Sequence, residues 1–440
     1  MKVKIVQKTN FYIGLTHNIM SVIISQMTIL KRDTKIKKLI DGIHKAEKVN
    51  LLFLHLTANE NQMSKTARSF LNSKLSERYY FGAGNNGVVD YNPFTVRGIR
   101  EVEDIVLEAE KAVKEMLGAT VVNLRCLSGI HAMMSVILCT TEPGDTVMSV
   151  HHDHGGHFAT AGILNRTGRR HLYTHYDFNK KQFDVDKMAR DFKDSNAKAL
   201  YLDLSYYVDH IDIKKMRQKL GPKAIIIFDA SHTMGLILGG AFPNPLQEGA
   251  DIICGNTHKT LPGPQKGMIA FKNLKFGCRI NDLINTCMVS SVHTHHLLSL
   301  AVTLLEMKYF GHEYARQVIK NANKIGKELS RLGYKVRKTI NGKFSSNHQV
   351  HVFIKDQDDR EKIYRRLIDN NISTNFDNPL GGELFIRIGV QEVTRRGMKE
   401  KEMTTISQLV DRAIKGSNVS KEVRNLNQRF TSVKYSFDKD

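Results

Sequence analysis

Ala224-Ile225-Ile226-Ile227-Phe228-Asp229-Ala230-Ser231-His232 is the stretch on which the fold turns. Five apolar residues in a row suit a strand buried on both faces, as in parallel sheets. The run ends on a carboxylate, and the carboxyl end of a parallel strand is where open α/β sheets bind ligands. Asp229 in isolation could equally be a helix N-cap. Working outward, other strand-like runs recur at Thr146–Val150, Ala199–Leu204, Asp251–Cys254 and Gly267–Phe271. Helical patterns at Met188–Phe192 and Lys214–Leu220 lie between them. Alternation of this kind predicts an α/β sheet with helices on both faces.

Beyond that core, residues 31–50 and Val96–Met116 carry apolar residues at helical spacing. A helix is expected around Leu297–Met307 and another over 313–332. Strand-like Val350–Ile354 and Leu384–Ile388 then alternate with helical 360–370 and 400–415. The expected organisation is a helical arm (1–62), a large domain (63–310), a small α+β domain (311–416) and a charged tail (417–440).

The net charge is +21 and the pI about 9.6. Lys and Arg are scattered, and no zinc-finger, RRM or KH signature accompanies them, so no nucleic-acid partner is expected. Five cysteines without a C-x-x-C pair suit a reducing cytoplasm. Polar residues interrupt the apolar segment Phe11–Leu30, so no membrane span is expected. Met27, at the head of a Lys-rich run, is a second candidate start.

Three further motifs carry chemistry. Leu127-Ser128-Gly129-Ile130 precedes an apolar helix, and free N–H groups at a helix start bind phosphate. His151-His152-Asp153-His154-Gly155-Gly156-His157 could hold a metal, or supply one ring to cover a planar cofactor. Asn256-Thr257-His258-Lys259-Thr260-Leu261-Pro262-Gly263-Pro264 places a lysine where a solvated surface charge is a poor explanation. Lys259 follows Asp229 by 259 − 229 = 30 residues. A lysine that forms an imine and a carboxylate that keeps a pyridine nitrogen protonated are the pair a pyridoxal 5′-phosphate (PLP) enzyme needs.

With these motifs in order, the chain resembles the serine hydroxymethyltransferase family over about residues 50–415. The resemblance also rests on Arg78-Tyr79-Tyr80, Glu142-Pro143-Gly144-Asp145-Thr146-Val147, Pro243-Asn244-Pro245, Arg387-Ile388-Gly389 and Thr394-Arg395-Arg396-Gly397. It implies a fold type I PLP-dependent transferase, with a mixed, mostly parallel sheet in its large domain, that works as a homodimer with shared active sites, or as a pair of such dimers. Lys259 would carry PLP, Asp229 would pair with its ring nitrogen, and His157 would stack on the ring. Ser128, Gly129 and Ile130 would hold the phosphate, joined by Ser290 and Ser291 from the neighbouring subunit. Ser205, His232, Thr257 and His258 would complete the cofactor contacts. Asn59, Ser205, Arg387 and the neighbour's Tyr80 would bind the amino-acid substrate, with Tyr80 and His232 also catalytic. No metal is expected.

The chain also departs from the family it resembles. A Tyr-x-Glu motif should precede Arg-Tyr-Tyr, its Glu managing the proton and contacting folate; Phe70 and Asn72 fill those places. Asn cannot act as a carboxylate acid or base. Asn375–Gly382 is shorter than the family's pterin-seating insertion, and Val289–His296 replaces a glycine-rich loop. The histidines His293, His295 and His296 in that replacement could equally be a helix start with no ligand. The expected reaction is therefore Cα–Cβ cleavage or formation in a β-hydroxy-α-amino acid, by a folate-independent L-threonine transaldolase or aldolase with an aldehyde partner. The alternative is an ordinary folate-dependent serine hydroxymethyltransferase.

Overall fold

The structure is a computed structural model, and it describes residues 34–80, 99–376 and 380–439. The Phe11–Leu30 segment and Met27 lie outside the described residues. The helix Thr34–Asn50 belongs to a unit of its own and exposes Ile36, Leu39, Ile40 and Ile43. Residues 54–440 form the second unit.

Seven strands make the main sheet: β1 (Val121–Asn123), β2 (Thr146–Ser149), β3 (Arg170–Tyr173), β4 (Ala197–Asp203), β5 (Ile225–Asp229), β6 (Ile252–Asn256) and β7 (Gly267–Phe271). Their spatial order is β1-β7-β6-β5-β4-β2-β3. β7 runs antiparallel to both neighbours, and the other pairs are parallel. The sheet is thus mixed and mostly parallel, as the resemblance implies. Ile226, Ile227 and Phe228 are buried in β5, each worth roughly 1.5–3 kcal/mol of apolar burial. Helix α1 (Gly129–Thr140) packs on β6 and β7.

One correction concerns the expected pair of helices around residue 310. Thr294–Arg331 is a single helix, α2, of 38 residues. Gly311 lies within it, where the helix meets Gly239 at very close range. A Cβ on Gly239 would lie 2.3 Å from Gly311 O, so the contact requires glycine.

Past α2, β8 (Gln349–Phe353) pairs antiparallel with β9 (Phe385–Gly389). The helices Gln357–Asp369 and Glu400–Ile414 follow these strands in turn. Leu54–His55 pairs with Ile372–Ser373, tying the start of this unit to its C-terminal part. The segment from 417, expected to be a tail, is instead packed. Its helix Ser420–Gln428 buries Val423 and Leu426. Asp438 then accepts from the N–H groups of Lys65 (2.7 Å) and Thr66 (2.9 Å). Its charge hid apolar residues at helical spacing. No helix among the described residues is long and apolar enough to cross a membrane.

Candidate active site

The carboxyl ends of β4, β5 and β6 close the floor of a cavity of about 330 Å³. Asp203 and Asp229 end adjacent strands and pair in register, so two carboxyl groups stand side by side. They are held differently. Asp229 accepts from the Tyr201 hydroxyl at 2.6 Å and from Ser231 N at 2.9 Å. Asp203 accepts from Thr160 at 2.5 Å and from His157 N at 3.0 Å through one oxygen, while its other oxygen is buried with no partner among the described residues. Burial pushes the Asp203 carboxyl up to about 8, and the nearby Asp229 adds to that. Burial also raises the Tyr201 phenol well above its ordinary range, with Asp229 second, so Tyr201 stays a donor.

Lys259 lies three residues past β6. Its Nζ is 3.1 Å from His232 Nε2. With the Asn256 amide oxygen turned toward it, Nζ also finds an acceptor at 3.2 Å. Opposite, Ser128 caps α1 by accepting from His131 N at 3.1 Å. Next to it, a Cβ on Gly129 would sit 2.9 Å from Asn256 Cβ. Glycine there lets the helix start, with its free N–H groups, come down onto the strand end. His157 lines the cavity, its ring stacked on Phe158 and its Nδ1 accepting from Ala159 N at 3.3 Å. Burial holds its pKa below the ordinary imidazole range, with Asp229 opposing.

Asn59, Ser128, Gly129, Ile130, His157, Ser205, Asp229, His232, His258 and Lys259 all line this cavity. Burial lowers His258 to about 4. Arg387 stands behind the wall: it donates to Ser205 O and to Asn59 Oδ1, each at 3.0 Å.

Other expected site residues are not brought there within this chain. Thr257 is fully buried; it accepts from Lys266 N at 3.1 Å and donates to Pro264 O, so its hydroxyl shapes the loop rather than facing the cavity. Tyr80 is buried, where burial and the charges of Glu103 and Glu110 raise its hydroxyl pKa. Ser290 is exposed and Ser291 half-buried, just ahead of α2. None of these lines the cavity. The histidines of 151–157 diverge: His151 packs on Tyr173 and His154 on Phe178, and His157 is the one that reaches the cavity. His293, His295 and His296 pack on each other around the start of α2.

Sequence reasoning passed over Asp203, Asn256 and Ser231. Asp203 had a readable signal, since it ends a strand-like run just as Asp229 does. The floor combines an amine beside an imidazole, a held carboxylate and a helix start open to an anion. It can bind a flat anionic carbonyl compound and hold it at Nζ.

Residues 29–410 match the family model described as serine hydroxymethyltransferase. A serine hydroxymethyltransferase of Methanocella arvoryzae is 32% identical over 429 residues, covering 92% of this chain and 97% of that one. A fluorothreonine transaldolase of Streptantibioticus cattleyicolor is 35% identical over 360 residues, covering 81% of this chain and 56% of that protein. Among solved structures, an L-threonine transaldolase from Pseudomonas fluorescens in its internal aldimine state superposes with a TM-score of 0.86. It is 28% identical, and the match covers 95% of this chain and 96% of that one.

Proposed function

This chain belongs to the serine hydroxymethyltransferase family of fold type I PLP-dependent enzymes, and we propose that it breaks and makes the Cα–Cβ bond of β-hydroxy-α-amino acids without tetrahydrofolate. The activity is that of an L-threonine transaldolase or aldolase, with threonine as amino-acid substrate and an aldehyde as second partner. The observation that carries this reading is Asn72, which stands where the resemblance calls for a folate-facing glutamate. The likeness to two proteins named as transaldolases supports it.

The residues present fit PLP. Gly129 lets the helix start, which suits a phosphate, come down onto the strand end at Asn256. Asp229, fixed by Tyr201 and Ser231, offers a carboxylate to a ring nitrogen. Bound there, the cofactor supplies an electron sink for negative charge at Cα. Lys259 would hold it through Nζ, and His157 would pack against its ring. His232 holds Nζ in place. Arg387, whose planar fork already spans Ser205 and Asn59, draws the substrate carboxylate to that wall. Ser290, Ser291 and Tyr80 serve the neighbouring subunit's cavity in a homodimer.

The test is to add PLP to the purified protein, then L-threonine, and to trap acetaldehyde while offering a panel of other aldehydes. An absorbance band near roughly 420 nm and new β-hydroxy-α-amino acids are expected. A protein that stays colourless with PLP would refute the reading.

A further inference from the structure

Behind His232, a run of side chains leads from the cavity into β8. Gln349 is fully buried at the start of that strand. Its Nε2 lies 3.1 Å from Ser205 O and 3.3 Å from His232 Nδ1. Its Oε1 lies 3.0 Å from His351 Nε2. A carbonyl oxygen only accepts, so Ser205 O decides which end of the amide is nitrogen. Turning the amide over would set two oxygens against each other. Arg387, which only donates, holds the same Ser205 O from another direction.

The remaining N–H of Gln349 points at His232 Nδ1, which must therefore accept. Burial drives the His232 pKa well below the ordinary imidazole range, and Lys259, Arg387, His348 and His157 around it act the same way. An uncharged imidazole that accepts at Nδ1 carries its proton on Nε2. That proton faces Lys259 Nζ across 3.1 Å. It needs an electron pair there, which an amine has and an ammonium lacks. Asn256 Oδ1, turned toward Nζ at 3.2 Å, then takes one of the amine's own N–H groups.

We propose that Gln349 is a positioning residue that fixes His232 as the Nε2–H tautomer and thereby holds Lys259 Nζ as an uncharged amine, ready to meet a carbonyl. His351 is the far stop of this chain, donating from Nε2 to keep Gln349 from turning. The inference deepens the reading of Lys259 as the cofactor anchor and rests on it for its purpose. The hydrogen-bond claim itself concerns Nζ before any cofactor arrives.

The experiment uses full-length protein freed of cofactor. The rate at which acetic anhydride acetylates Lys259 is followed against pH by mass spectrometry, in wild type, Q349E and Q349M. A glutamate carboxylate accepts but does not donate. It draws the His232 proton to Nδ1, turns a bare Nε2 toward Nζ and favours the ammonium. Lys259 in Q349E should react at least about 10-fold more slowly at neutral pH, with its midpoint moved up by about one pH unit or more. Q349M, which fills the space without donating, should fall between, and surface lysines should not change. Thermal melts check that the variants fold. If Q349E does not fold, the Q349M midpoint decides. If neither folds, NMR of histidine-labelled wild type decides, by whether His232 Nδ1 is unprotonated. Equal Lys259 midpoints in wild type and folded variants, or a protonated Nδ1 in wild type, would overturn the inference. PLP uptake by wild type reports separately on the cofactor reading. Its failure would sink that reading while the acetylation result still judged the hydrogen bonds.

Discussion

The strand ends carrying Asp203, Asp229 and Asn256 and the segments around Asn72 and Ser290 are held in opposite ways. The first lie in a buried sheet, and the Asp229 carboxyl has a named partner on each oxygen. Asn72 closes a three-residue 3-10 turn and is exposed, as is Ser290. Changing a residue in the floor leaves a buried polar group unpaired, at roughly 1–3 kcal/mol. Changing an exposed residue typically costs within about 0.5 kcal/mol. Folding therefore restrains the floor proposed to hold the cofactor far more than it restrains Asn72 and Ser290. Two of the departures from the family pattern, at Asn72 and Ser290, fall on exposed positions.

The sharpest way to break this contrast is at Lys259. K259A should lower threonine cleavage by roughly 1,000-fold or more and abolish the visible band, read by stopped assays and absorbance. Retention of both would place the chemistry elsewhere. R387K should come next, raising the KM for threonine by about 10- to 100-fold through loss of the planar fork, with a smaller change in kcat. An unchanged KM would remove Arg387 from substrate binding.

Asp203 gives a subtler test on the floor itself. Burial pushes its carboxyl up to about 8 in the folded chain, against an ordinary value of 3.8. Between those values the folded chain keeps a proton that the unfolded chain releases. Its contribution to stability is therefore full below about pH 4 and lost as pH rises through about 8. The melting temperature of wild type should fall over that window, and D203N should fall less. Parallel curves would mean that Asp203 is ionised throughout. The smallest effect is expected on the exposed segment. N72E should leave threonine cleavage within about 3-fold while altering its pH profile. A gain of folate-dependent serine cleavage from this change alone would show that Asn72 is the whole difference.

Much of the floor was legible because strong local signals coincide there. The apolar run ending in Asp229, the Ser128-Gly129 helix start and the Lys259 loop each mark a strand end or helix start, and the sheet gathers such ends. What was not legible depends on distance along the chain. Gln349 reaches His232 across 117 residues, and no local pattern marks it. The continuity of α2 was hidden because the pattern reads as two helices, 297–307 and 313–332, whereas Thr294–Arg331 is one. The packing of 417–439 was hidden by its charge, since Asp438 finds its partners at Lys65 and Thr66, near the other end of the same unit. Thr257 sits in the most informative motif of all, yet its hydroxyl serves the loop, which composition and spacing do not reveal.

The central claim is a retained cofactor floor with a changed second substrate. Its most direct test is to compare cleavage of L-threonine and L-serine by the PLP-loaded protein, with and without tetrahydrofolate. The expected result is acetaldehyde from threonine at a rate that tetrahydrofolate does not change. Serine cleavage that requires tetrahydrofolate, with threonine inert, would contradict it.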